Sequence, residues 1–168
     1  MRISTRIKAL LLASFAIPAL AQPAPPPPRA KGPSLAAAVE AAQIAIRTCL
    51  ANGYKTTALV ADAEGIPVAM LSADGVNART QQIVVAKVAT VIRYKVASGV
   101  IAERIKTDAK LAEEVKAQNQ LGYGWRGALP LMAGAEQIGV IAVSGAPGGE
   151  KDEACAEPAI ARIKLLLK

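Results

Sequence analysis

Two pairs of short β-rich runs, each joined by only two residues, restrict the architecture of this chain more than any other feature. TTALVADA (56–63) and IPVAMLSA (66–73) are separated by Glu64-Gly65, and ALPLMA (128–133) and EQIGVIAVSG (136–145) by Gly134-Ala135. Connections this short imply antiparallel hairpins, because parallel neighbours need a crossover of a dozen residues or more. Helical patterns surround them. Leu35, Val39, Ala42, Ile46 and Cys49 recur at helical spacing over 35–50, with Ser34 as N-cap and Asn52-Gly53 as the stop. QQIVVAKVATVIRYKVA (81–97) predicts a long second helix ending near Ser98-Gly99, and residues 101–120 one or two short amphipathic helices. A last helix is expected over 150–166, kinked at Pro158, where a backbone donor is missing.

The predicted order, α-β-β-α-α-β-β-α, differs from the alternation of a βαβ fold and determines how VSGAPGGEKDEACAE (143–157) is interpreted. Its glycine spacing suggests a phosphate-cradling loop with Gly145 first and Lys151 as the lysine. Such a loop joins a parallel strand to a helix and ends Gly-Lys-Ser or Gly-Lys-Thr. Here Glu150 stands in place of the last glycine and Asp152 in place of the hydroxyl, so two carboxylates would face the phosphates. The segment is better explained as a turn out of an antiparallel strand into an acidic helix start.

The N-terminus has a different composition. Arg2, Arg6 and Lys8 precede ALLLASFAIPAL, and Ala19-Leu20-Ala21 has the small-x-small form of a cleavage site, so residues 1–21 are expected to be a secretory signal peptide. Residues 22–33, with four consecutive prolines, are expected to form an extended tether, and residues 34–168 a single domain. These expectations place the protein in the periplasm or outside the cell, with no membrane span after cleavage. Removing the three signal cations lowers the formal charge from +7 to +4. With scattered charge and 3% aromatic residues, nothing suggests a nucleic-acid partner.

The chain has no histidine, which removes Ser-His-Asp triads, Cys-His pairs and the usual zinc sets. Cys49 and Cys155 both fall on predicted helices. In an oxidising compartment they either pair, which requires those helices to be neighbours, or remain two separate buried thiols.

LVADAEGIPVAML (59–71), DGVNARTQQIVVAKVAT (74–90) and above all VIAVSGAPGGEKDEACAE (140–157) resemble the GlcG/HbpS family of haem-binding proteins, which is related to the C-terminal domain of some cobalamin adenosyltransferases. The resemblance covers about 35–167. It implies an α+β fold, an antiparallel sheet of four to five strands flanked by helices, and assembly into homo-oligomers. It also implies a haem, tetrapyrrole or similar small-molecule ligand. Members often have a histidine just after the hairpin glycine, but Ile66-Pro67 stands there, so any haem would lack a histidine ligand from this chain. The loop before the third strand also departs from the glycine- and leucine-rich family pattern, since it contains Tyr123, Trp125 and Arg126.

Three site hypotheses follow. A ligand pocket would use Arg79, Lys87, Tyr123, Trp125 and Arg126, with an arginine gripping a carboxylate and Trp125 stacking on a planar ring. Alternatively, Arg79 and Lys87 are solvated and Trp125 fills a subunit interface. Glu150 and Glu153 have the spacing of a cation site, although carboxylates in a first helical turn are favoured by the helix dipole alone. Lastly, Lys87 among Val84, Val88 and Val91 is a candidate base or Schiff-base amine of a histidine-free lyase or isomerase acting on an aromatic or carbonyl compound.

Overall fold

The structure, a computed structural model, describes residues 30–167; the expected signal peptide and most of the expected tether lie outside them. Helix α1 (Leu35–Ala51) leads into strands β1 (Thr57–Asp62) and β2 (Pro67–Ser72). Helices α2 (Arg79–Tyr94), α3 (Ser98–Arg104) and α4 (Ala109–Ala117) follow. Strands β3 (Ala128–Ala133) and β4 (Glu136–Ser144) and helix α5 (Gly149–Ile163) complete the domain. The four strands form one antiparallel sheet in the order β2-β1-β4-β3, so each hairpin contributes one central and one edge strand. Pro67 and Pro130 both lie on edge strands, where a missing N–H does least harm to a ladder.

The first hairpin is set by its own residues. The Asp62 carboxylate accepts hydrogen bonds from the Glu64 and Ile66 N–H groups, and Gly65 adopts a left-handed φ of 84°. At the start of α1, the Ser34 hydroxyl accepts from Ala37 N–H, a side-chain N-cap.

Both faces of the sheet are covered, which explains why β1 is buried along its whole length. Ala58, Val60, Ile141 and Val143 face α1 and α5. Leu59, Ala61, Val140 and Ala142 face Val84, Val88 and Val91 of α2. Each such valine contributes on the order of 1.5–3 kcal/mol by burial. The alanine content is used mainly between α1 and α5, where Ala38, Ala41, Ala42 and Ala45 meet Ala156 and Ala159. Small side chains let these helices approach closely, and Cys49 and Cys155 are joined across them with their Cα atoms 5.4 Å apart.

One expectation needs correction. Helix α2 stops at Tyr94, where Lys95 takes a left-handed φ of 56°; Ser98-Gly99 begins α3 instead of ending α2. The cause is tertiary: the Ser98 hydroxyl accepts from Ala128 N–H, and Gly99 is packed against Arg126 and Glu153. Three helices, α2 and two short ones, separate the hairpins, within the one or two short helices expected after α2. As expected, α5 runs through Pro158, which lies on the exposed side of the helix, where water can serve the unpaired carbonyl. No described helix is long and apolar enough to cross a membrane.

Candidate functional site

The segment between α4 and β3 is built against α2 from below and α5 from the side. Thr90 on α2 hydrogen-bonds Ala86 O through its hydroxyl hydrogen and accepts from Gly122 N–H at 3.0 Å, while Gly122 N–H also reaches Ala86 O. Trp125 N–H donates to Gly122 O, so the loop closes as a tight turn with Gly124 at φ 68°. At its far end Arg126 donates to Glu153 at 2.9 Å and to Glu103 at 3.2 Å, and Gly127 N–H donates to the other Glu153 oxygen. The loop thus stands as a fixed wall opposite the first turn of α2.

Between this wall, α2 and the start of α5 lies a cleft of about 420 Å³. Arg79 and Ile83 line one side, Trp125 and Arg126 the other, and Lys87, Ser144 and Asp152 are also part of its lining. Its size lies within the ~300–1,000 Å³ usual for small-molecule sites. Arg79, Lys87, Trp125 and Arg126 are thus brought together as lining, whereas Tyr123 is exposed outside it. The reason is local: Gly122 and Gly124 turn the chain so that the Trp125 ring folds back over Gly122 while Tyr123 faces outward.

The deepest charges form a pair. The Lys87 ammonium donates to Asp152 Oδ2 at 2.8 Å and to Val143 O at 2.7 Å, and both side chains are only 4% exposed. Asp152 also accepts from Ala146 N–H, which ties the glycine-rich turn to the pair. Burial pushes the Lys87 ammonium below the usual lysine range, against the pull of Asp152 and, less, Glu153. The same desolvation pushes the Asp152 carboxyl up, opposed by Lys87 and the Ala146 N–H. Gly127 makes room for this arrangement: at φ 115°, a Cβ there would lie 2.6 Å from Lys87 Nζ and 2.8 Å from Asp152 Cβ.

The remaining charges are unevenly committed. Arg126 is held by two carboxylates, whereas Arg79 is exposed at the rim without an ion pair among the described residues. Glu153, weighed above as a cation ligand with Glu150, is instead bound to Arg126 and Gly127, and Glu150 is exposed. Among the described residues no group of three or more metal-binding side chains converges.

Asp152 was not recognisable in the sequence as the partner of Lys87. Two signals could have found it: a lysine on the valine face of α2 needs a buried anion, and Asp152 shares a stripe with Cys155, Ala156 and Ala159 at helical spacing. Ser144 carried no comparable signal.

The family model described as "Haem degrading protein HbpS-like" matches residues 34–161. No curated protein matches the sequence. Among solved structures, a double mutant of HbpS from Streptomyces reticuli superposes with a TM-score of 0.71 at 23% identity, covering 89% of this chain and 99% of that one. Protein ORFY of Klebsiella pneumoniae gives 0.71 at 19% identity, over 83% and 96% of the two chains. PduOC, solved as a complex with haem, gives 0.68 at 19% identity, over 76% and 92%. At these identities the structural likenesses bear on the fold, an α+β domain around a four-stranded antiparallel sheet.

Proposed function

The chain belongs to the HbpS-like family, and from that premise we propose that it is an exported protein binding haem, or another planar anionic small molecule, in the cleft between α2, the Gly122–Gly127 loop and α5. The observation that carries this reading is the convergence on one cleft of Arg79, which has no ion pair among the described residues, and an indole, Trp125. A guanidinium matches a carboxylate bidentately, and an indole stacks on a planar ring. The haem complex of PduOC, a protein of the same fold, supports the ligand class. With no histidine in the chain, haem would be held through its carboxylates and ring faces, without an imidazole from this chain.

Trp125 is the only tryptophan and lines this cleft, so its emission follows the arrival of a light-absorbing ligand. Titration with haemin is expected to quench it in parallel with a Soret shift. Trp125→Ala is expected to weaken binding roughly 5- to 30-fold, the value of one stacked aromatic contact with its buried area. A Trp125→Ala variant that binds haemin as tightly as the wild-type protein, read by the Soret change, would place the ligand elsewhere.

We further propose a self-associating subunit. Val85 and Ile66 are exposed, and shallow apolar depressions flank Val85 beside Met70 and Ile92, a surface suited to a second copy. Native mass spectrometry of protein recovered from the periplasm tests export and assembly together. The expected species is a multimer whose subunits begin at Gln22; a monomer, or subunits still carrying Met1, contradicts the corresponding half.

A histidine-free enzyme in the same cleft is a second reading, favoured by one observation: an amine pushed below its usual range borders the cavity.

A further inference from the structure

Lys87 is a buried nucleophile that simple ligand binding leaves without a task. Its ammonium has three N–H groups and two protein acceptors, Val143 O and Asp152 Oδ2, so one position is left over, and the residue borders the cleft. Beside it, Ser144 is almost wholly buried, lines the same cavity, and has a hydroxyl with no hydrogen-bond partner among the described residues. Strand register places Ser144 opposite Thr57, whose side chain reaches α2 at Thr80, so the Ser144 hydroxyl lies on the face that carries Lys87. Arg79 stands at the rim without an ion pair among the described residues.

We propose that Lys87 forms an imine with a small carbonyl compound that also carries a carboxylate, with Asp152 as proton relay and counter-ion, Ser144 as donor to the carbonyl oxygen, and Arg79 as the carboxylate anchor. A proton first passes from the Lys87 ammonium to the Asp152 carboxylate across their 2.8 Å hydrogen bond. The neutral amine then attacks the carbonyl carbon, forming the C–N bond. The carbonyl oxygen becomes a hydroxyl by taking a proton that the nitrogen loses, and departs as water with the proton held by Asp152. The products are a protonated imine, an ionised Asp152 and one water, so atoms and charge balance without an oxidant or reductant. Burial favours the reactive state, since it pushes Lys87 down and Asp152 up. This inference shares the cleft proposed above but does not depend on haem being its ligand.

The test uses the wild-type protein with 4-carboxybenzaldehyde as probe, benzaldehyde as the comparison lacking the anchor, and cyanoborohydride to trap imines as stable secondary amines. Peptide mapping is expected to show Lys87 labelled ahead of exposed lysines such as Lys55 and Lys110 near neutral pH. The expected preference is about tenfold for each pH unit by which burial lowers the Lys87 ammonium from the ordinary lysine value. The carboxylated probe should also react faster than benzaldehyde at Lys87 and at similar rates elsewhere. In Lys87→Arg, which keeps the cation and loses the amine, the preferred adduct should disappear while exposed lysines still react. Labelling confined to exposed lysines in the wild-type protein overturns the proposal. The haemin titration is independent: a protein can fail the trapping test and still give the Soret and fluorescence changes, or the reverse.

Discussion

Replacing Cys49 and Cys155 together by alanine is expected to destabilise the domain by about 2–5 kcal/mol, among the largest losses open to a pair of small side chains. The bridge joins residues 106 apart and encloses the sheet together with α2, α3 and α4. Closing a loop of that length removes up to ~4.7 kcal/mol of freedom from the unfolded chain in the entropic limit. Alanine isolates this term, because both positions lie in an interface already built of alanine and lose little packing. Both cysteines are almost completely buried, so reductant added to the folded protein reaches them only after opening; the double substitution avoids that complication. Equilibrium urea unfolding measures the difference. A loss below about 1 kcal/mol would show that the unfolded chain is not appreciably constrained by the bridge.

Lys87→Met is expected to lower stability by a comparable ~3–5 kcal/mol, because it leaves the Asp152 carboxylate buried beside a thioether. The pH dependence separates this cause from simple mispacking. Burial already raises Asp152 in the wild-type protein, and removing its cation raises it further. A carboxyl raised in the folded state binds more protons there than in the unfolded chain, so stability falls as pH rises. Relative to the wild-type protein, the variant is therefore expected to lose least below the ordinary aspartate range, near pH 4 or lower, and to lose more as pH climbs through the raised value. Lys87→Met combined with Asp152→Leu, which removes both charges, is expected to recover much of the loss and to flatten this pH profile, since neutral replacement of a buried pair is often tolerated. A pH-independent loss, or a double variant no better than the single one, contradicts the assignment.

How much of this was legible in the sequence depended on the range of the interactions. The hairpins were legible because turn chemistry is local: Asp62 and Gly65 shape the first turn without help from distant residues. Helix α1 announced itself through Ser34 and a regular apolar stripe. The end of α2 did not, because Lys95 is an unremarkable residue in a left-handed conformation, while Ser98-Gly99, which looks like a stop signal, is recruited by strand β3 and the Arg126 side chain. For the cleft, residue types were informative and partners were not. Arg79, Lys87, Trp125 and Arg126 stood out by chemistry, but Arg126's commitment to Glu103 and Glu153, and Lys87's to Asp152, connect residues 23 to 65 positions apart. Those pairings depend on the sheet order, which neither hairpin specifies alone.

The loop that carries Trp125 is fastened at both ends, to the α2 backbone and Thr90 through Gly122 and to α5 through Arg126 and Gly127. It therefore resembles a jamb more than a door. A ligand meets a recess that is already shaped, so little ordering has to accompany capture, and arrival should be governed by diffusion and by the rim charge of Arg79. Discrimination among related ligands then falls to residence time, set by how well each fills the space between the indole and the buried pair.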